Sequence, residues 1–213
     1  MTKRALHIAL AGIITAASLI GVLLNGGLYL GTFRPEIFKT FTALSNAYVF
    51  VYYLPYFVRL LRGDSALHHP AWYLSAVVSI FQTGAVAAIF RMGAAAGSPK
   101  WFFTAMFYLH VAVPAAVLLE FLFFAERGKL KFRHVPLAAL PLTLYGLTAV
   151  LGPLAGFTLG SGGARYPYPF LDVEALGVPM IVLILAASLA GILLISTVFT
   201  VYDKLLAKGQ NKN

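Results

Sequence analysis

The sequence predicts an all-α membrane protein, a single bundle of six transmembrane helices that covers residues 1–213 and has both termini in the cytoplasm. Hydrophobic residues make up 60% of the chain and charged residues only 11%, whereas an ordinary soluble domain has about 45–50% and about 25%. The apolar residues are gathered in six runs, and the Lys and Arg residues are divided unequally between the connections. Because so few charged side chains cannot cover a soluble fold, soluble enzyme folds are excluded.

Each apolar run is long enough to cross a bilayer, which takes roughly 20 residues as a helix. The runs must be helical, because a single extended segment in lipid leaves its backbone groups without partners. The first run is too long to be the core of a signal peptide. The sequence shows no internal repeat and no connection that could hold a soluble domain. The six predicted spans are residues 5–30, 37–61, 71–92, 101–124, 135–159 and 178–206.

The basic residues predict the orientation of the bundle. Of the 16 Lys and Arg residues, 11 fall on the side that holds both termini, and the more positive side faces the cytoplasm. The formal net charge of +9 is therefore an orientation signal, and it indicates membrane lipids as partners, not nucleic acid. The chain has no cysteine, which excludes disulfides and thiolate chemistry, and nothing predicts a metal or another cofactor. The sequence does not specify an oligomeric state.

Polar side chains in the second predicted span are the first candidates for function, because polar groups are costly in lipid. Thr42 lies three residues before Ser45 and four before Asn46, so the three share one face of a helix. Small hydroxyls and amides commonly join membrane helices by hydrogen bonds. The group is therefore either interhelical packing or a polar pocket near the outer end of the bundle, and the sequence leaves both open.

His110, in the middle of the fourth predicted span, is the next candidate. It is either a structural histidine bonded to a backbone carbonyl or a functional group, since ionisable residues inside a membrane are functional candidates by default. Counted from the outer ends of their spans, Thr42 is roughly 7–8 Å deep and His110 roughly 13 Å, so one layer is expected to hold both. Arg91 enters this layer from the third span, and Gln82 lies deeper there. Glu120, ~15 Å below His110, is expected at the cytoplasmic boundary, paired with a loop cation.

The longest outer connection precedes the last span and is expected to pack onto the bundle above this layer. Its prolines restrict the backbone, and Tyr166 and Tyr168 suit the membrane interface. Asp172 closes the aromatic stretch. Three roles are open to it: to cap a turn, to pair with Arg91 or Arg165, or to orient the histidine.

A hydroxyl and an imidazole at similar depth can together hydrolyse an ester. The neutral imidazole takes the hydroxyl proton as the oxygen attacks the ester carbonyl, and then returns this proton to the leaving alcohol. Water resolves the resulting acyl-threonine intermediate. Such a pair needs neither a metal nor a cysteine. The Gly-x-Ser-x-Gly elbow of the α/β-hydrolases does not occur in the sequence.

Three short motifs resemble a known group of membrane proteins. They are Phe41-Thr-Ala-Leu-Ser-Asn46 in the second span, His110-Val-Ala-Val-Pro114 with Leu118-Leu-Glu120 in the fourth, and Tyr166-Pro-Tyr-Pro-Phe-Leu-Asp172 before the last. Together they resemble a bacterial group of six-span proteins that is similar in layout to the eukaryotic androgen-induced and androgen-dependent membrane hydrolases. Those enzymes hydrolyse fatty acid esters of hydroxy fatty acids with an intramembrane threonine nucleophile and a histidine partner.

The resemblance implies a lipid esterase of the bacterial inner membrane, with a fatty-acyl substrate, Thr42 as the nucleophile and His110 as the base. Three residues separate Thr42 from Asn46 where the eukaryotic pattern has two, and the fourth-span motif is one residue shorter, so Ser45 is a rival nucleophile. Two other hypotheses stay open: a small transporter or lipid-binding protein with His110 as proton carrier, and a non-catalytic scaffold. The predicted substrate-binding or supporting residues are Ser45, Asn46, Arg91, Tyr166, Tyr168 and Asp172.

Overall fold

Six long helices account for most of the chain. The computed structural model describes residues 2–64, 69–89 and 100–210, which are 82% helical and form no strand. The all-α prediction is therefore confirmed, and each long helix coincides with one of the predicted apolar runs. The helices are α1 (Lys3–Asn25), α2 (Phe41–Leu61), α3 (Pro70–Ile89), α4 (Lys100–Phe123), α5 (His134–Leu154) and α6 (Val178–Gln210).

The surface of the bundle fits an integral membrane protein. Five of the described helices, α1, α3, α4, α5 and α6, are long and apolar enough to cross a membrane. α2 is of similar length, but its hydroxyl, amide and tyrosine side chains lower its mean hydropathy. Large apolar side chains stay exposed on the outside of the helices, as at Val51 (65%), Leu183 (61%) and Leu194 (65%). A surface of this kind is stable against lipid and unfavourable in water.

α5 ends at Leu154 and not at residue 159, and α6 continues past residue 206 to Gln210. Two further helix ends differ from the predicted spans for local reasons. α1 ends at Asn25 and not near residue 30, because two glycines follow it and Gly27 takes a φ of 76°, a left-handed conformation that favours glycine. α2 begins at Phe41 and not at residue 37, because Thr40 caps it by accepting a hydrogen bond from the Ala43 amide at 3.4 Å. Thr42 is consequently in the first turn of α2, nearer the helix end than expected.

α4 contains a π turn, Tyr108–Ala112, in its middle. Pro114 follows the turn and has no N–H to donate to the carbonyl of His110 four residues earlier, which favours a local change of hydrogen-bond register. α3 packs tightly here, since a Cβ on Gly84 would lie 3.0 Å from Pro114 and 3.3 Å from the His110 carbonyl oxygen. π turns often mark functional sites, and this one holds the histidine predicted from the sequence.

The main apolar core lies among α1 to α4, with further residues from α5 and α6, and a smaller one attaches the loop before α6. Tyr53, Tyr73 and Phe121 are among the largest fully buried side chains of the main core. In the smaller cluster, Leu171 from the loop before α6 packs with residues of α5 and α6, including Ile181. The loop before α6 therefore packs onto the bundle, as expected from its sequence.

A buried aspartate joins the end of α6 to the connection between α4 and α5. The carboxylate of Asp203 is 1% exposed and accepts hydrogen bonds at 3.0 Å from the backbone amides of Gly128 and Leu130. Asp203→Ala is expected to lower the free energy of unfolding by about 3 kcal/mol, since hydrogen bonds to a charged group contribute most when buried. Denaturant unfolding of the detergent-solubilised protein measures this change.

The matched control for this prediction is Glu174→Ala, because the carboxylate of Glu174 is 59% exposed and pairs with Arg165 at the surface. An exposed pair of this kind contributes about 0–1 kcal/mol. Equal stability of the two variants would contradict the role assigned to Asp203.

Candidate active site

A cavity of about 360 Å³ lies among α2, α3, α4, α5, α6 and the loop that precedes α6. Its volume is within the range typical of small-ligand sites. Polar side chains from all five helices line it together with a larger number of apolar ones. The polar lining residues are Thr42, Gln82, Thr83, His110, Thr143, Tyr145, Tyr168 and Ser188; the apolar ones include Phe41, Val86, Leu142, Leu147, Phe170, Leu171, Val182, Leu185, Ala186 and Leu189.

Thr42 presents a free hydroxyl to this cavity. Threonines inside helices usually donate their hydroxyl to the carbonyl four residues earlier, as Thr83 does to Ser79 at 3.1 Å and Thr143 to Ala139 at 2.9 Å. Thr42 is in the first turn of α2, and the carbonyl four residues before it belongs to Phe38, in the separate 3₁₀ turn Pro35–Lys39. Its hydroxyl makes no hydrogen bond to any residue that the structure describes. The hydroxyl is therefore free to react or to bind a ligand.

His110 lies on the same cavity with one ring nitrogen free. Its Nδ1 is buried and has no hydrogen-bond partner within the described ranges. In the tautomer with the proton on Nε2, Nδ1 carries a lone pair that can accept a proton.

Ser45 and Asn46 do not line the cavity, but their hydrogen bonds join the helices that carry Thr42, Thr83 and His110. The Ser45 hydroxyl is buried and hydrogen-bonded to the Thr83 hydroxyl at 2.7 Å. The Asn46 amide donates to the Thr42 carbonyl at 2.9 Å and to the Leu109 carbonyl, in the π turn, at 3.2 Å. Asn46 therefore ties the first turn of α2 to the segment that carries the histidine. Of the two candidate nucleophiles, only Thr42 combines a free hydroxyl with a place on the cavity wall.

The loop before α6 contributes one of its predicted residues to the cavity. Tyr168 lines the cavity. Tyr166 is buried but is not part of the lining, and its hydroxyl has no partner in the described part of the chain. Asp172 caps the short helix Val173–Leu176, accepting from the amides of the second and third residues after it at 2.9 and 3.0 Å. Capping is one of the three roles considered for it. Arg91 lies outside the described residues.

Four polar cavity residues were not singled out from the sequence: Thr83, Thr143, Tyr145 and Ser188. Thr143 and Tyr145 project from α5, and the Tyr145 hydroxyl donates to the Lys39 carbonyl at 3.0 Å. Ser188 projects from α6, and its hydroxyl makes no hydrogen bond to the described residues. Ser188 is the only hydroxyl residue in the first half of the last span, and this was the available signal for it. Thr143 and Tyr145 had no such signal, since their orientation depends on how α5 is rotated in the bundle.

The predicted ion pair between Glu120 and a loop cation is wrong. The Glu120 carboxylate is fully buried and lies 2.9 Å from His7 Nε2. The two are 113 residues apart in the chain, so their contact depends on the packing of α1 against α4. Glu120 does not line the cavity of Thr42 and His110.

The cavity has an uncharged wall and an apolar opening. Among the lining residues none is Asp, Glu, Lys or Arg, and no group of three potential metal ligands occurs among the described residues. Leu147 and Val182 line the cavity but are 44% and 59% exposed, so it reaches the outer surface between α5 and α6. That surface is apolar, which suits entry of a lipid and disfavours a charged metabolite.

Comparison with known proteins adds nothing to this geometry. No protein family, curated protein or solved structure matches the chain. The interpretation of the cavity therefore depends on the residues that form it: a free hydroxyl, a free imidazole nitrogen, several further hydrogen-bond donors and an apolar wall.

Proposed function

We propose that the protein is a membrane-embedded lipid esterase that hydrolyses fatty-acyl esters, such as fatty acid esters of hydroxy fatty acids. Thr42 is the nucleophile and His110 the general base. The observation that carries the proposal is that Thr42 and His110 line one cavity, and that neither the Thr42 hydroxyl nor His110 Nδ1 makes a hydrogen bond to the described residues. The resemblance of the sequence motifs to the membrane threonine hydrolases supports the same assignment.

The reaction follows from the two free groups. The Thr42 oxygen attacks the ester carbonyl carbon as His110 Nδ1 takes the hydroxyl proton, which then passes to the leaving alcohol. This step leaves an acyl-threonine and a neutral imidazole. Water attacks the acyl group as Nδ1 takes one of its protons, and that proton returns to the Thr42 oxygen when the fatty acid leaves. No cofactor or metal takes part in these steps.

The negative charge that develops on the carbonyl oxygen requires donors close to the reacting carbon. The Gln82 amide and the Tyr168 hydroxyl line the cavity, and Gln82 makes no hydrogen bond to the described residues. Thr42 also lies at the N-terminus of α2, where the helix dipole favours negative charge. We assign the stabilisation of the oxyanion to these groups.

The substrate reaches the site from the bilayer. The acyl chain occupies the apolar part of the cavity, between Leu142 of α5 and Leu185 of α6. We place the protein in the bacterial inner membrane with both termini in the cytoplasm. In this arrangement α2 crosses the membrane in addition to the five apolar helices, which makes six spans. The excess of basic residues on the side of the termini supports this orientation. The polar residues of α2 are tolerated in lipid because they face the cavity and the neighbouring helices.

Purified protein in lipid nanodiscs tests the proposal. Release of a free fatty acid from a long-chain ester, measured by mass spectrometry, is expected. Binding of the ester without hydrolysis would instead support a lipid-binding or transport function, and the absence of both would support a scaffold.

Narrowing the opening between α5 and α6 is expected to slow the hydrolysis of long-chain esters and not that of short esters. Ala186 is exposed and lines the cavity, so Ala186→Phe places a ring in the passage. We expect kcat/KM for a long-chain ester to fall about tenfold, and that for a short, water-soluble ester to stay near the wild-type value. Ala187→Phe, also exposed but outside the lining, is the matched control. An equal effect of both variants on both esters would contradict lateral entry.

A further inference from the structure

A second cavity lies between α2 and α3, and it shares no lining residue with the cavity of Thr42 and His110. Its volume is about 440 Å³. Val51 and Trp72 belong to its wall and are 65% and 60% exposed, so the cavity is open along the outer surface of the bundle. We call it the α2–α3 groove.

The groove runs along α2 from the end of the bundle at which α1 begins. At this end it is lined by Arg59, two residues before the end of α2, and by His69, directly before α3. Arg4 of α1 lies beside the same end, since a Cβ on Gly63 would be 3.3 Å from its Nη2. Val51 lines the groove ten residues before the end of α2, which is ~15 Å along the helix. In the six-span arrangement the groove therefore reaches from the membrane interface to about half the depth of the ~30 Å hydrocarbon layer.

The wall between these ends is aromatic. Tyr48, Tyr52 and Tyr56 of α2 and Trp72 of α3 form it. Tyr48 joins the two helices, because its hydroxyl donates to the Trp72 carbonyl at 3.0 Å and the two rings meet edge to face, 6.3 Å apart between centroids. Tyrosine and tryptophan rings are typical of the headgroup layer of a membrane. The wall thus fits a ligand that lies partly in this layer.

The charges at the interfacial end of the groove favour an anion. Arg59 is a cation, and none of the lining residues that the structure describes is Asp or Glu. Asp64 pairs with Arg59 Nε at 3.3 Å, whereas Arg4 and Arg62, the residue that caps the end of α2, add two positive charges beside the groove. A guanidinium presents five N–H donors, so it can bind a carboxylate and a phosphate together. The other described acids at this end bond elsewhere: Glu120 contacts His7, Glu126 pairs with Lys129, and Asp203 accepts from the amides of Gly128 and Leu130.

We propose that the α2–α3 groove binds one anionic phospholipid. The Arg59 guanidinium binds the lipid phosphate, and one acyl chain lies along Pro55 and Val51 towards the middle of the bilayer. A guanidinium matches the geometry of a phosphate, and basic pockets between membrane helices are typical binding sites for anionic headgroups. Free phosphate would leave the apolar half of the groove uncovered, so a lipid is the occupant that matches both ends.

This site goes beyond the proposed esterase. The lipid in the groove is a bound ligand and not a substrate, because neither Thr42 nor His110 lines the groove. It contacts both α2 and α3, and a ligand that binds only the folded protein stabilises it. Lipid binding and ester hydrolysis are measured by different experiments, so either proposal can fail without the other.

Native mass spectrometry of the full-length protein in detergent tests the headgroup. With phosphatidylglycerol and phosphatidylethanolamine added at equal concentration, one phosphatidylglycerol is expected to stay bound to each protein. Arg59→Gln is expected to raise the Kd for phosphatidylglycerol about tenfold, the effect of losing a hydrogen bond between charged groups. Arg133→Gln is the matched control, because it removes an exposed cation outside the groove, and its Kd is expected to equal that of the wild type. Equal affinity for the two lipids, or an equal loss in the two variants, would overturn the proposal.

The apolar half of the groove is tested separately. Val51→Trp fills the groove at an exposed position and leaves Arg59 in place, and it is expected to raise the Kd for phosphatidylglycerol about tenfold, the effect of displacing roughly two buried methylenes. Leu54→Trp is the matched control, since Leu54 is 41% exposed and lies outside the lining. Millimolar inorganic phosphate is expected not to displace the lipid. Displacement by phosphate, or an unchanged Kd in Val51→Trp, would show that the groove binds a phosphate group alone and would overturn the lipid assignment.

Thermal unfolding gives a second readout of the same site. Phosphatidylglycerol is expected to raise the Tm of the wild type and of Arg133→Gln, and phosphatidylethanolamine is expected not to. The rise is expected to be smaller in both Arg59→Gln and Val51→Trp, which alter opposite ends of the groove. An equal rise in the wild type and in these two variants would contradict binding in the groove.

Discussion

Replacing Thr42 by Ala is expected to lower kcat for ester hydrolysis by about 10⁴-fold or more, the scale seen when a catalytic nucleophile is removed. The side chain is half-buried, makes no hydrogen bond to the described residues and supports no neighbour, so the fold is expected to be unaffected. Fatty acid release by purified protein measures the loss. Thr148→Ala is the matched control, since that hydroxyl donates to the Leu144 carbonyl at 2.9 Å and lies outside the cavity.

The rival nucleophile is tested in the same assay. Ser45→Ala removes a buried hydroxyl that bonds to Thr83, and we expect most of the activity to remain. A fluorophosphonate probe is expected to add to the Thr42 oxygen in both the wild-type protein and Ser45→Ala. An inactive Ser45→Ala together with an active Thr42→Ala would show that the nucleophile is wrongly assigned.

Replacing His110 by Gln is expected to lower kcat by about 10²–10⁴-fold, the usual contribution of a positioned general base. Gln retains a polar side chain with a hydrogen-bond donor but cannot accept a proton at neutral pH. The wild-type rate is expected to fall on acidification, because an imidazolium has no lone pair for the hydroxyl proton. The residual rate of His110→Gln should lack this dependence, and a pH profile of both proteins measures the difference.

The control for this substitution is His134→Gln. His134 lies at the start of α5, where its Nδ1 accepts from the Lys131 amide at 3.2 Å, and it is not part of the cavity. Full activity of His110→Gln would exclude the histidine as base. Full activity of both Thr42→Ala and His110→Gln would leave the cavity as a lipid-binding site.

The candidate site could be predicted in part because depth in a membrane can be counted. Thr42 and His110 each lie a known number of residues from the ends of their spans, so a shared layer was a reasonable expectation, and the two residues do line one cavity. Which hydroxyl is free was not predictable. It depends on the start of α2 after Thr40, which leaves the carbonyl four residues before Thr42 outside α2 and leaves Ser45 within reach of Thr83.

The partners of Glu120 could not be predicted from its position along the fourth span. Its depth predicted a boundary position, and the nearest basic residues along the chain predicted an ion pair with the loop. The structure instead surrounds it with His7 and two tyrosine hydroxyls from three other helices. Contacts between helices depend on the rotation of each helix about its axis, and a single apolar run carries little information about that rotation.

The sequence by itself determined that the protein is helical, that its long helices fit a membrane and where each of them lies. Those features depend on local quantities: the length of an apolar run and the need of each backbone N–H and C=O for a partner within its own segment. Only the tertiary structure decided that α2 and α4 turn Thr42 and His110 towards one cavity, that Thr143, Tyr145 and Ser188 join them, and that His7 meets Glu120. These contacts join residues far apart in the chain, and they are selected by close packing between helices, where small features such as Gly84 against Pro114 set the distance.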